Sequence, residues 1–375
     1  MDSPIRRPIY LDCDPGVDDS LALGYLVASP LVRLVGVGTV FGNCPADIGA
    51  RNACDWLWVM GAPDVPVAVG AKGPSHGEYR GGPKHIHGEH GTGAVRLPES
   101  DTTPIAGSAA ELLVDLARTH AGELEIITVG PLTNIAEALV IEPELPHLIK
   151  HLTLMGGAAL HPGNISPVTE ANIGKDPESA RIVYAQPWPM TMAGLDVTMA
   201  NTFEEEHRQA LLASGSTTCR LLAEVLDFYF DFHLDVYGRR CSALHDPLAA
   251  IIAAGGIGPK LAPVVNVDVD DTRGPGRGQT LCALSGLYRD FPAQDGAHCR
   301  VVLEIGSPVA PHLVEVLSRF RSSPHRFRSP LHPPPTHSQK DSSPCPIPRS
   351  PTRTRSARAR PPCSSASSSP SSHSS

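Results

Sequence analysis

The sequence lacks any apolar run of about 18 residues, the length that a helix needs to cross a bilayer. No long apolar segment surrounds Arg6 and Arg7 near the first residue, so we expect no signal peptide. The nine cysteines are odd in number and never spaced Cys-x-x-Cys, which argues against a disulfide framework or a zinc site. These absences predict a globular protein of the cytoplasm with free thiols and no membrane partner.

Positive charge is scarce over most of the chain, whose net charge is -8. From Arg321 onward, nine Lys and Arg residues stand against one acid, Asp341, so residues 321–375 carry +8 and residues 1–320 carry -16. Phosphate backbones are bound by clustered positive charge. We therefore expect no nucleic-acid binding by the acidic region.

Residues 321–375 are rich in Ser, Pro and Arg, as in the runs Pro333–Pro335 and Ser364–Ser375. Such a segment buries too little apolar surface to offset its chain entropy, so it is predicted to be disordered. The sequence thus divides into a domain of residues 1–320 and a tail of residues 321–375. We interpret the tail as a passive extension or a gene-model artefact, with nucleic-acid docking and phosphorylation as less favoured alternatives.

Acidic side chains crowd one short run near the start, DCDPGVDD, from Asp12 to Asp19. The apolar stretch Ile9–Leu11 predicts a buried strand, Pro15 and Gly16 predict a turn, and Val17–Ala28 has helical periodicity. The carboxylates therefore collect where ligands bind in open α/β sheets. Their repulsion, roughly 1 kcal/mol or more per close pair, is offset by a hard cation or by protonation of one group. Oxygen ligands favour Ca²⁺ or Mg²⁺.

Short apolar runs alternate with helical patterns through the rest of the domain. The predicted strands are Ile9–Cys13, Val32–Val40, Val65–Val69, Leu124–Val129, His151–Met155, Met190–Leu195, Val264–Val269, Gln279–Ala283 and Arg300–Ile305. The predicted helices are Val17–Ala28, Asp47–Met60, Ser108–Thr119, Leu132–Val140, Pro177–Ala185, Phe203–Ala213, Thr217–Tyr237 and Ala310–Phe320, with one more opening at His245. This alternation predicts an α/β fold with a doubly wound, largely parallel sheet flanked by helices.

A segment rich in Gly and Pro lies between Gly70 and Ser100 and holds four histidines, His76, His85, His87 and His90. Loops this long inside a compact domain are often lids, so we predict a flap over the site. No matching Cys/His spacing accompanies the histidines, and a zinc site is therefore disfavoured.

Five blocks, taken together, resemble the inosine-uridine nucleoside hydrolases, which cut the N-glycosidic bond of ribonucleosides. They cover about residues 5–320 in the family's order. The blocks are the acidic run, Thr39–Asn43, Val129–Asn134, the segment from Met155 through Asn172, and His245-Asp246-Pro-Leu-Ala. The resemblance implies the family's doubly wound fold, hydrolysis to ribose and free base in nucleoside salvage or catabolism, and a homodimer or homotetramer.

The resemblance also implies roles for individual residues. Asp14, Asp19, Asp246 and the Val129 carbonyl would hold Ca²⁺, and Asp14 would also be the general base. The residues expected to bind the ribose hydroxyls are Asp18, Asn43, Asn164, Glu170 and Asn172. His245 is expected to protonate the departing base, because it adjoins a metal-binding Asp and histidine titrates near neutrality. His87 and Tyr237 are candidates for contacts with the base.

This chain departs from the family's pattern at two places. Ala171 stands where the family usually has an aromatic residue, and the flap run from His87 to Gly93 lacks the family's Asp.

The sequence leaves two alternative functions open. A haloacid-dehalogenase-like phosphohydrolase also begins with Asp-x-Asp after a strand, but it continues with Gly-Thr where this chain has Pro15-Gly16. The other is a non-catalytic protein that binds ribose or nucleosides.

Overall fold

The computed structural model describes residues 6–320, so the predicted disordered tail lies outside the described residues. The strands are β1 Arg7–Cys13, β2 Val32–Thr39, β3 Val67–Val69, β4 Glu125–Thr128, β5 His151–Met155, β6 Met190–Ala193, β7 Thr202–Glu204, β8 Cys241–Ala243, β9 Pro259–Leu261, β10 Val264–Val265, β11 Val267–Val269, β12 Thr280–Cys282, β13 Cys299–Val301 and β14 Glu304–Ile305. The helices are α1 Val17–Ala28, α2 Ala46–Val59, α3 Lys84–His87, α4 Ala109–Thr119, α5 Thr133–Ile141, α6 Leu145–Leu148, α7 Ala171–Lys175, α8 Pro177–Tyr184, α9 Leu195–Thr198, α10 Glu205–Ala213, α11 Thr217–Tyr237, α12 Asp246–Ala254 and α13 Val309–Leu317.

Eight strands form the central sheet in the order β10-β13-β6-β5-β4-β1-β2-β3. All neighbouring pairs are parallel except β10 with β13 at one edge. Helices cover both faces: one buried cluster includes residues of α1, α2, α11 and α12, and the other includes residues of α4, α5 and α8. The predicted doubly wound, largely parallel α/β fold is confirmed.

The strand order reverses between β1 and β4, which lie side by side although two strands of the sheet, β2 and β3, separate them along the chain. From β1 the chain builds outward through β2 and β3, then returns to add β4, β5 and β6 on the other side. The crevice outside the carboxyl ends of the strands at such a reversal is where ligands bind in this class of fold. Asp12 and Cys13 end β1 there, and Val129 follows the end of β4.

Two predicted strands are each divided by the structure. The segment Val264–Val269 becomes β10 in the central sheet and β11, which pairs with β12. Asn266 separates them because its backbone N–H donates to Gln294 and its side chain donates to the Asp295 carbonyl. The segment Arg300–Ile305 likewise divides into β13 in the central sheet and β14, which pairs with β9.

The helix predicted over Phe203–Ala213 begins later than expected. Phe203 belongs to β7, which pairs antiparallel with β8, and α10 begins at Glu205. Phe203 is fully buried beside His207, so packing outweighs the helical periodicity at this end. Within residues 6–320, no helix is long and apolar enough to cross a membrane.

Candidate active site at the carboxyl edge of the sheet

The turn between β1 and α1 gathers three carboxylates. Gly16 caps α1, and its backbone N–H donates to Asp19 Oδ2 at 2.8 Å while the Asp14 N–H donates to Asp19 Oδ1 at 3.1 Å. Asp18 and Asp19 lie in the first helical turn, where the helix dipole favours negative charge. The turn therefore holds Asp14, Asp18 and Asp19 close together by its own hydrogen bonds.

A second helix start adds a fourth carboxylate. Asp246 is the first residue of α12, with Pro247 behind it in the first turn, and α12 packs against α1. One carboxylate oxygen from each of Asp18, Asp19 and Asp246 lies within 4.8 Å of the others, and all three side chains are buried. This group could hold a metal ion.

Burial and mutual repulsion make the carboxylates hard to ionise together. Both effects raise the pKa of Asp18 to about 6, and they raise the pKa values of Asp19 and Asp246 well above the ordinary range. Asp14 Oδ1 and Asp18 Oδ1 are buried and have no hydrogen-bond partner among residues 6–320. A divalent cation with oxygen ligands would satisfy these orphaned oxygens and balance the charge, so the donor set fits such an ion.

Asp14 is fully buried, and its Oδ2 atom accepts two hydrogen bonds. The Asn43 backbone N–H donates at 2.8 Å and Lys175 Nζ donates at 3.1 Å. Burial raises the pKa of Asp14, and the Lys175 ammonium partly offsets that rise. The Asn43 side chain also donates to Asp19 Oδ2 at 3.1 Å, so this asparagine bridges two of the carboxylates.

Lys175 is a site residue that the sequence patterns did not indicate. It ends α7, and its side chain is 21 % exposed. Burial opposes its charge, but the neighbouring Asp14 carboxylate raises the pKa of Lys175 above its ordinary value. No short motif marks the position, because the pairing joins residues 161 positions apart.

Val129 and Asn172 meet at the end of β4. The Val129 carbonyl accepts a hydrogen bond from Asn172 Nδ2 at 2.8 Å, and the same nitrogen lies 3.2 Å from the Met155 carbonyl. Asn172 thereby ties α7 to the ends of β4 and β5. Its side-chain oxygen has no hydrogen-bond partner within residues 6–320, so it can accept one from a ligand.

Glu170, predicted to bind ribose, serves locally as the N-cap of α7. Its carboxylate accepts hydrogen bonds from the backbone N–H groups of Gly157, Asn172 and Ile173 at 2.9 to 3.1 Å. Asn164, predicted for the same role, is exposed in the loop before α7. The backbone N–H of Asn164 donates to the Thr169 carbonyl at 3.1 Å.

The flap histidine His87 is buried against the start of α1. Its Nδ1 atom accepts a hydrogen bond from the Val17 N–H at 3.2 Å and lies 3.9 Å from Asp18 Oδ1. Burial lowers the pKa of His87 well below its usual value, so the ring is neutral with its proton on Nε2. A Cβ atom added at Gly16 would lie 2.6 Å from Nδ1 of this ring and would clash with it. This close approach explains why residue 16 is glycine.

Two tyrosines of α11 have different surroundings. The Tyr229 hydroxyl donates to Asp18 Oδ2 at 3.3 Å, and its ring lies 5.3 Å from the His87 ring. The Tyr237 hydroxyl instead donates to the Met199 carbonyl at 3.1 Å. Tyr229 thus contacts the carboxylate group directly, although sequence reasoning gave the substrate-binding role to Tyr237.

His245 immediately precedes α12 and is partly buried. Its Nδ1 atom lies 2.9 Å from Thr198 Oγ1. Burial, followed by repulsion from His233 and His161, lowers the pKa of His245 to about 3, so the imidazole is neutral at physiological pH. Nε2 has no hydrogen-bond partner within the described part of the chain.

Behind the carboxylates, a buried network ties the strand ends together. Asn134 Nδ2 donates to Asp12 Oδ2 and to the Thr39 carbonyl, both at 3.0 Å, and its oxygen accepts from the Ala71 N–H. The Tyr10 hydroxyl also donates to Asp12, and burial raises the pKa of Asp12 to about 7. This network fixes β1, β2 and the root of the flap relative to one another.

Known proteins resemble this chain in both sequence and structure. Residues 9–309 match the sequence model of the inosine-uridine preferring nucleoside hydrolases. A probable uridine nucleosidase from Arabidopsis thaliana is 36 % identical over 254 residues, which are 66 % of this chain and 77 % of that protein. A pyrimidine-specific ribonucleoside hydrolase from Salmonella schwarzengrund is 38 % identical over 241 residues, 64 % of this chain and 77 % of that one. Among solved structures, a purine-preferring ribonucleoside hydrolase from Gardnerella vaginalis has a TM-score of 0.75 and 32 % identity, covering 84 % of this chain and 98 % of that one.

Proposed function

Because the chain belongs to the inosine-uridine preferring nucleoside hydrolase family and is a nucleoside N-ribohydrolase, we propose that it cleaves its substrates with the aid of a bound calcium ion. The products are ribose and a free base. The observation that carries the calcium assignment is the buried carboxylate cluster. In it, oxygens of Asp18, Asp19 and Asp246 lie within 4.8 Å of one another, and Asp14 adds an Oδ1 atom that has no hydrogen-bond partner within residues 6–320.

In the proposed site, Asp14, Asp19, Asp246 and the Val129 carbonyl hold the ion. Every donor is oxygen, which suits Ca²⁺ and its six to eight ligands. The unpartnered Oδ1 atom of Asp14 supports this assignment. The Val129 carbonyl accepts one hydrogen bond, from Asn172, and keeps a second lone pair. When bound, the ion would supply positive charge and lower the pKa of a nearby water.

Asp14 is the proposed general base. The Asn43 N–H and the Lys175 ammonium both contact Oδ2 and favour the ionised carboxylate. The carboxylate of Asp14, kept ionised in this way, would receive the proton of the attacking water. A positioned carboxylate of this kind contributes roughly 10²- to 10⁴-fold to the rate.

Polar side chains at the carboxylate cluster and in the loop before α7 are proposed to bind the ribose. Asn and carboxylate groups suit a polyol because together they supply donors and acceptors. The residues proposed for these contacts are Asp18, Asn43, Asn164, Glu170 and Asn172. Since Glu170 also caps α7, its replacement is expected to disturb both the helix and the sugar contacts.

His245 is proposed to assist departure of the base. In the proposed tautomer, the Thr198 hydroxyl donates to Nδ1, and the ring proton on Nε2 is donated to a base nitrogen. His87 and Tyr237 are proposed as further base contacts. Glycosidic cleavage passes through an oxocarbenium-like sugar, and a basic leaving group departs from it more easily when a side chain donates a proton or a hydrogen bond.

A substrate panel with and without calcium tests the proposal. Ribose release from inosine, uridine, cytidine, adenosine, guanosine and nicotinamide riboside would be measured with CaCl₂, after chelation, and after calcium is restored. Activity on a ribonucleoside should fall on chelation and return with calcium. We propose that the substrate 2′- and 3′-hydroxyls complete the calcium shell, so a 2′-deoxyribonucleoside, which lacks one of them, should react poorly. Full activity after exhaustive chelation would rule out the calcium mechanism.

Membership of the family favours this function over the haloacid-dehalogenase-like alternative, which would release phosphate. The non-catalytic alternative would show nucleoside binding without ribose release in the same panel. We further propose a cytoplasmic role in nucleoside salvage or catabolism, carried out by a homodimer or homotetramer. Light scattering at micromolar protein concentration measures the oligomeric state.

A further inference from the structure

Lys175 is a partly buried cation to which the proposed reaction assigns no chemical step. Its Nζ atom lies 3.1 Å from Asp14 Oδ2. Among the residues that the structure describes, it is the one Lys or Arg paired with Asp14, Asp18, Asp19 or Asp246. A lysine in this position therefore bears on the charge of the whole carboxylate group.

The backbone on either side of Lys175 is held in place. Before it, Asn172 is bonded to the Val129 and Met155 carbonyls. After it, the Asp176 carboxylate accepts hydrogen bonds from Ser75 and Thr133 at 2.6 to 2.9 Å. The fold therefore positions the end of α7 so that the Lys175 side chain contacts Asp14.

The ammonium and a metal ion are attracted to the same carboxylate. Asp14 Oδ2 is engaged by Asn43 and Lys175, while Oδ1 is buried without a partner within residues 6–320. A divalent ion at Oδ1 would lie only a few ångströms from the ammonium at Oδ2. Like charges at such a distance repel measurably even with water-like screening.

We propose that Lys175 is a tethered cation that shares Asp14 with the metal. Without the ion, the ammonium balances part of the buried negative charge and holds Asp14 in place. With the ion bound, it weakens the ion's affinity by repulsion. The inference rests on the calcium-dependent function proposed above, and it makes Lys175 a positioning residue that sets how tightly the ion is held.

Isothermal titration of calcium into the metal-stripped full-length protein tests this directly. Lys175→Met and Lys175→Gln remove the charge, whereas Lys175→Arg keeps it. Lys150→Met is the matched control, because Lys150 pairs with Glu125 at the opposite edge of the sheet. The two neutral variants should bind calcium about tenfold more tightly than the wild type. Lys175→Arg and Lys150→Met should stay close to the wild-type Kd.

Thermal melting gives a second readout, independent of turnover. In chelator, the neutral variants should melt below the wild type, since the carboxylates have lost their cation. In saturating calcium, the difference should vanish or reverse, because tighter binding stabilises the folded state. If Lys175→Met fails to fold, Lys175→Gln, which keeps a hydrogen-bond donor, supplies the same comparison.

The outcomes separate the two proposals. Equal or weaker calcium affinity in both neutral variants would overturn the role of Lys175 and leave the calcium-dependent function standing. Absence of calcium binding in the wild type and in every variant would instead overturn the calcium assignment, and the inference with it. Calcium binding seen only in the neutral variants would support the role of Lys175 as a competitor.

Discussion

Replacing Asp14 by Asn tests the catalytic base with little change of shape. In the wild type, the Asn43 N–H donates to Asp14 Oδ2 at 2.8 Å. The amide oxygen of the variant can accept the same hydrogen bond, so the turn before α1 should keep its geometry. Two electrostatic changes have opposite effects on the free energy of unfolding. Lys175 loses its ion-pair partner, which destabilises the fold, and Asp18 and Asp19 lose a repelling neighbour, which stabilises it. We therefore expect the melting temperature of the metal-free variant to stay within a few degrees of the wild type.

Turnover should respond very differently from stability. Without a carboxylate to accept the proton of water, kcat should fall by about 10²- to 10⁴-fold, equivalent to about 3 to 5 kcal/mol in activation free energy. The assay is ribose release from uridine and inosine at saturating calcium and substrate. Asp12→Asn is the matched control, since it makes the same chemical change two residues earlier, where Tyr10 and Asn134 contact the carboxylate.

The control should lose less than about tenfold in kcat, because Asp12 lies behind the site and takes no proton in the proposed reaction. Retention by Asp14→Asn of more than a tenth of wild-type kcat would refute the assignment of Asp14 as base. So would equal losses in the two variants, which would point to a shared structural defect.

Three further perturbations give distinct outcomes. Burial opposes ionisation of Asp176, but hydrogen bonds from Ser75 and Thr133 outweigh burial and lower its pKa. The ionised carboxylate therefore stabilises the folded state at neutral pH, and this stabilisation is lost as pH falls through the lowered pKa. Asp176→Asn should cost about 2 to 3 kcal/mol of unfolding free energy at pH 7 and converge with the wild type in acid, as measured by urea titration; a pH-independent difference would contradict this. His245→Ala should slow hydrolysis of ordinary nucleosides far more than that of p-nitrophenyl riboside, whose leaving group departs unassisted, and equal losses on both would demote His245 to a structural role. Truncation after residue 322 should leave melting temperature and kcat nearly unchanged, because the removed segment is Ser-, Pro- and Arg-rich; a large drop in either would show that the tail docks.

The strand-turn-helix at the acidic run was predictable because local physics fixes it. The apolar run of β1, the Pro15-Gly16 turn and the periodicity of α1 act over neighbouring residues, and the structure has each of them. The parallel sheet followed from the alternation of such units. The divided strands were not predictable in the same way, because the hydrogen bonds of Asn266 come from residues distant in the sequence.

The side chains that complete the site were harder to predict. Lys175 reaches Asp14 only because α7 is fixed by capping and by contacts with two strand ends. Tyr229 and Tyr237 lie on the same helix, and periodicity alone does not say which of them faces α1. The answer depends on how α11 packs, which places the Tyr229 hydroxyl on Asp18.

The hydrogen bond from Val17 to His87 gives the enzyme a natural probe of flap position. Both roots of the flap are anchored, at Ser75 by Asp176 and near Ser100 by Asp55. Between these anchors, the ring of His87 accepts a hydrogen bond from the Val17 N–H at the start of α1. Within residues 6–320, the Val17 N–H has no other acceptor. Hydrogen–deuterium exchange at this single amide should therefore follow flap opening, and slow when a nucleoside closes the site.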